Sequence, residues 1–110
     1  MGDAREYLGE FEQVVMLALG RLPDGGYGAE IHGEILDATG RDVSIPSVYV
    51  TLKRLERKAY VSSRTVRPEG GGRAVRVYTL ASSGLEALHR SRDLFERLWD
   101  SPRLRSGEGS

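Results

Sequence analysis

The hydrophobic period of the chain changes at Tyr60, and that change restricts the fold more than any other feature. Before it, Val48, Leu52 and Leu55 recur at i, i+4 and i+7, the spacing of one buried stripe on a helix. After it, Val61, Ser63 and Thr65 fall on one face of an alternating run that continues to Val66. A second alternating run follows, with Val75, Val77 and Thr79 set against Ala74, Arg76, Tyr78 and Leu80. Pro68, Gly70, Gly71 and Gly72 separate the runs, so residues 61–80 read as a β-hairpin with a long, mobile, glycine-rich tip. A helix over 44–60 therefore feeds directly into a hairpin.

Ser44 suits the N-cap of that helix, and Pro46 falls in its first turn, where a missing N–H does no harm. The side away from the stripe carries Ser47, Val50, Thr51, Lys53, Arg54 and Arg57, small, polar or basic, with Tyr49 near the boundary. Upstream, apolar residues at positions 8, 11, 14, 15, 17, 18, 19 and 22 predict a first helix over 8–22, ended by Pro23-Asp24-Gly25-Gly26. Ile31, Ile35 and Ala38 predict a second over 28–38, stopped by a left-handed Gly40. Downstream, Leu85, Leu88, Phe95, Leu98 and Trp99, with Leu94 at the edge, predict a last helix from Ser82 or Ser83 to Asp100, ended by Pro102. The order helix, helix, helix, hairpin, helix is that of a winged helix-turn-helix, mainly α with a small β-hairpin. We expect this DNA-binding domain over 1–80, a C-terminal dimerisation helix over 81–101 and a disordered, glycine- and serine-rich tail over 102–110.

The formal net charge is zero, but the charge is unevenly spread. Residues 1–42 carry nine acids against three bases, whereas residues 53–76 carry eight bases, Lys53, Arg54, Arg57, Lys58, Arg64, Arg67, Arg73 and Arg76, against Glu56 and Glu69. A localised positive patch of this kind steers a polyanion even when the sum vanishes. Without cysteine the chain has no disulfide, thiolate metal site or cysteine nucleophile. Its start lacks the pattern of an export signal, and no apolar run approaches the ~20 residues that span a bilayer. A cytoplasmic protein that does not engage a membrane is expected. No metal or cofactor is expected either: His32 and His89 stand far apart outside any ligand motif, and no Gly-Lys-Ser/Thr follows Gly70 to Gly72 to make a phosphate-binding loop. The same inventory argues against an enzyme.

With these elements in order, the chain resembles the PadR family over Leu8 to about Leu88. Its opening pattern is matched by Leu8-Gly9-Glu10-Phe11-Glu12, and the entry to its second helix by Tyr27-Gly28-Ala29-Glu30-Ile31. The segment Ser44 to Lys58 resembles the family's recognition helix, and Gly71-Gly72-Arg73-Ala74, Arg76, Tyr78, Leu80 and Gly84 its wing and the helix beyond. The resemblance implies a prokaryotic transcriptional repressor that binds an operator as a homodimer, joined by its C-terminal helix, in the short class with a single such helix. Four residues depart from the pattern. Ala59 replaces a usual glycine at the recognition-helix exit, which implies strain there. Ala81 replaces a threonine cap, so the cap should pass to Ser82 or Ser83. Val77 and Thr79 stand where the wing is often aromatic and basic, implying a looser grip on DNA.

In a helix-turn-helix the first half of the recognition helix reaches deepest, so Ser47, Tyr49, Thr51 and Lys53 are the candidates for reading base edges of double-stranded DNA. Arg54, Arg57, Arg64, Arg73 and Arg76 are the candidates for phosphates, whereas Lys58 suits a helix C-terminal cation. Tyr49 has a second reading, half-buried against the second helix. Phe11, Val15, Leu88, Phe95 and Trp99 are the candidates for the homodimer interface. Drug-responsive relatives imply a second reading, in which the aromatic residues line an intersubunit pocket for a planar hydrophobic small molecule. An alternative to DNA binding also stands, because winged helices serve as protein–protein interaction modules.

Overall fold

The computed structural model describes residues 7–109; the first six residues and Ser110 of the expected domain bounds lie outside them. Seven elements follow in order: α1 (Glu10–Gly20), α2 (Gly28–Thr39), α3 (Ile45–Arg57), β1 (Val61–Val66), β2 (Val75–Leu80), α4 (Ser82–Trp99) and α5 (Pro102–Gly109). The helix starts follow local chemistry. Gly9 and Tyr27 cap α1 and α2 without a side-chain acceptor, and the glutamate three residues on compensates: Glu12 Oε1 accepts the Gly9 N–H at 2.9 Å and Glu30 Oε1 accepts the Tyr27 N–H at 3.1 Å. At α3 the expected cap forms, with Ser44 Oγ accepting the Ser47 N–H at 3.1 Å and Pro46 in the first turn. Gly40 ends α2 at φ 75°, as its spacing predicts.

One core holds these elements together. Val15, Met16 and Leu19 of α1, Ile31 and Ile35 of α2, Val48, Leu52 and Leu55 of α3, Tyr78 of the hairpin and Leu88 of α4 are buried in it. β1 and β2 pair antiparallel from Val61↔Leu80 to Val66↔Val75. The pair is anchored at its base by Gly26, whose N–H donates to the Tyr78 carbonyl at 2.9 Å and whose carbonyl accepts the Tyr78 N–H at 2.8 Å. The hairpin is therefore tied to the α1–α2 turn. At Gly84 the first turn of α4 lies so close to the chain that any Cβ there would collide with the Tyr60 carbonyl oxygen. Ser91 Oγ, two turns on, donates to Gln13 Oε1 of α1 at 3.0 Å.

Two expectations about the C-terminal region are corrected. Ala81 itself caps α4 without a side-chain bond; Ser83 instead donates to the Ala59 carbonyl at 2.5 Å, drawn there by the bend after α3. Residues 102–109 form the short helix α5 rather than a structureless tail, so the region holds two helices and not one. Pro102 both ends α4 and, with its preset φ and missing N–H, suits the first position of the next helix. The Arg105 guanidinium pairs with Asp100 across the break.

Candidate nucleic-acid interface

At ~3.6 residues per turn, Ser47, Val50, Lys53, Arg54 and Arg57 share one outward arc of α3, and all five are exposed. Two other candidates leave that arc. Thr51, expected on the exposed side, is only 4% exposed, because it lies three residues after Val48 and four before Leu55 and so falls inside the buried stripe. Tyr49 is half-buried, its ring filling the space beside Gly28 of α2, where a Cβ would overlap it. The packing alternative for Tyr49 is the one the structure adopts. These two side chains seat α3, and the arc beside them is left exposed.

Glu56, on the flank of α3, reaches the hairpin. Its Oε2 accepts the Ser63 hydroxyl at 2.6 Å, and Ser63 Oγ accepts Arg76 Nη1 at 2.9 Å, so one chain of bonds runs from α3 to the wing arginine. The strand register sets Arg76, Tyr78 and Ser63 on one face of the hairpin, and Arg64 with Val77 on the other. The two wing arginines of the phosphate set thus do not share a face. Burial pushes the Tyr78 phenol above its ordinary value of 10.0, and the Glu56 charge adds to the rise.

The exit of α3 is where strain and charge meet. The Tyr60 N–H donates to the Leu55 carbonyl and the Ala59 N–H to the Glu56 carbonyl, both at 3.0 Å, the paired bonds of a Schellman turn. That turn needs a left-handed residue, and Ala59 takes φ 65°, the one positive φ outside glycine among the described residues. The strain implied by the missing glycine is present. Just before it, Lys58 Nζ donates to Glu12 Oε2 at 2.9 Å, joining the end of α3 to the start of α1. Burial alone would raise the Glu12 carboxyl; the bonds from Lys58 and the Gly9 N–H, with the Lys58 and Arg54 charges, outweigh it and hold the group below its ordinary value. Lys58 is thereby structural, bound to a partner 46 residues away that no local spacing signals.

Most of the other cations of 53–76 are left without an acidic partner. Among the described residues, Lys53, Arg54, Arg57, Arg64, Arg67 and Arg73 make no ion pair, whereas in the acidic half Arg21 pairs with Glu34 at 2.8 Å and Arg41 with Glu10 at 3.5 Å. His32 stands 3.3 Å from Asp42, and His89 is exposed. No described helix is long and apolar enough to cross a membrane. Two of the five dimer candidates are corrected: Val15 is 0% and Leu88 7% exposed, both inside the protomer's own core, so neither offers surface to a second chain. Phe11 is half-buried, and Phe95 and Trp99 are half-exposed beyond the packed part of α4.

A three-helix core, an anchored hairpin and an outward cationic helix face define a winged helix-turn-helix. The chain belongs to the PadR-like family of transcriptional regulators, whose family model matches residues 16–90, and its members are regulators rather than enzymes. Solved structures agree on the fold. A PadR-like transcription factor from Bacteroides fragilis is 23% identical, with a TM-score of 0.71 over 86% of this chain and 85% of that one. A PadR family regulator from Clostridium difficile is 19% identical, with a TM-score of 0.66 over 84% and 96%. Bacillus subtilis PadR, solved in complex with operator DNA, is 21% identical, with a TM-score of 0.63 over 73% of this chain and 46% of that one. No curated protein matches the chain in sequence.

Proposed function

We propose that the chain is a cytoplasmic, prokaryotic repressor that binds double-stranded DNA as a homodimer on a palindromic operator. The observation that carries the reading is the set of unpaired cations on the outward arc of α3 and on the hairpin, beside a core that leaves that arc uncovered. α3 enters the major groove, where Ser47 and Lys53 read base edges, and Arg54, Arg57, Arg64, Arg73 and Arg76 engage phosphates. The operator complex of Bacillus subtilis PadR, which shares the fold, supports DNA as the partner.

Dimerisation runs through the far end of α4, where Phe95, Leu98 and Trp99 are 50%, 64% and 56% exposed. Two recognition helices related by a two-fold axis then read half-sites ~34 Å apart. The same aromatic pair is where a planar hydrophobic effector would enter, a point that quenching of Trp99 fluorescence by such compounds tests directly. For DNA binding the test is a gel shift on the region upstream of the protein's own coding sequence. Specific retardation of that fragment is expected, and Arg57→Ala should weaken binding to all sequences and lower the salt slope by about one unit. Absence of any retardation at low salt contradicts the proposal, as does a monomer at micromolar concentration in analytical ultracentrifugation for the dimer.

A further inference from the structure

α3 holds a threonine and a valine, near isosteres, in places that reverse their chemistry. Thr51 is 4% exposed in the core, and Val50 beside it is 57% exposed. Val50 also lies at the centre of the outward arc, with Ser47, Lys53, Arg54 and Arg57 around it, all of them hydroxyl or cationic. An apolar, β-branched residue there gains nothing from water, adds nothing to the core and lowers helix propensity. A local rule broken at the middle of a binding face points to the ligand that face takes.

We infer that Val50 is a specificity-determining residue that reads the C5-methyl group of thymine in the major groove. This inference rests on the DNA-binding reading above and narrows it. Thymine is the base that presents an apolar group in that groove, and a valine methyl contacts it without needing a hydrogen bond. Lys53 and Ser47 can satisfy base-edge acceptors on either side, while the flanking arginines hold phosphates and set the depth of the helix. The preferred half-site therefore holds at least one thymine under the middle of α3.

The test begins by selecting the preferred duplex from a random pool with the full chain, and then replaces each thymine singly by deoxyuridine, which removes only the methyl group. At one or two positions per half-site the affinity should fall roughly three- to five-fold, the size expected for taking one methyl out of water. Val50→Ala should bind thymine and deoxyuridine equally at those positions, and Val50→Thr, which keeps one methyl, should retain the difference in part. Because Val50 is exposed, the alanine variant should keep the wild-type helix content and melting temperature, which circular dichroism checks. If the wild type binds every deoxyuridine duplex as it binds thymine, or if Val50→Ala keeps the discrimination, the inference falls while DNA binding stands. If no sequence is enriched at all, the DNA-binding reading falls and takes this inference with it.

Discussion

α3 and α4 are both amphipathic helices with one face on the same core, and they differ in what they leave in water. The uncovered arc of α3 is cationic around a single valine, whereas the far end of α4 leaves Phe95, Leu98 and Trp99 half or more exposed. Free cations are well solvated and attract a polyanion from a distance, whereas exposed aromatic area is favourable only once covered. The two surfaces suit different partners, and salt separates them: binding through α3 should weaken as salt rises, and association through α4 should not.

The comparison breaks most sharply at Gly84, where α4 meets the core. Gly84→Val drives a side chain into the Tyr60 carbonyl and should cost ~3 kcal/mol in urea unfolding, loosening the α4 arm while α3 keeps its own packing. An unchanged unfolding midpoint would mean that α4 docks differently.

The next effect lies at the other end of the arc. Lys58→Ala leaves the Glu12 carboxylate buried without its cation, and because the Lys58 side chain is 33% exposed the loss should be ~1–2 kcal/mol at pH 7, below that of a fully buried pair. The sign with pH follows from the lowered Glu12 value. Its stabilisation is complete above the ordinary 4.5 and is lost as pH falls through the lower folded value, so wild type and variant should converge in acid. Parallel stability curves down to pH 3 would contradict the pairing.

Ala59→Gly should act in the opposite direction, relieving a left-handed alanine and adding ~1 kcal/mol. For a domain near this size that raises the melting temperature by about 4–8 °C, readable by calorimetry. The smallest effect is expected at Leu98, 64% exposed. Leu98→Ala should change protomer unfolding by less than ~0.5 kcal/mol while weakening self-association in sedimentation experiments.

These regions were not equally legible. The element order through α4, the Ser44 cap and the left-handed Gly40 all follow from local spacing and turn chemistry, and the structure has each of them. The polarity of Thr51 points outward, but its angle between Val48 and Leu55 sets it in the buried stripe. Val15 and Leu88 lie in the chain's own core, and an apolar stripe alone does not say which chain covers it. The long-range contact of Lys58 with Glu12 leaves no local trace, whereas Tyr49 over Gly28 follows the packing alternative read from its place at the stripe's boundary. Opposite faces for Arg64 and Arg76 required the strand register, which the long tip obscured.

Backbone amide shifts of the labelled full chain, followed while its selected DNA duplex is titrated in, locate the binding surface residue by residue. The shifts should concentrate in 44–57 and 61–80, fade as salt rises, and leave the exposed end of α4 unchanged. Shifts centred on residues 92–106, with α3 unmoved, would contradict binding through α3.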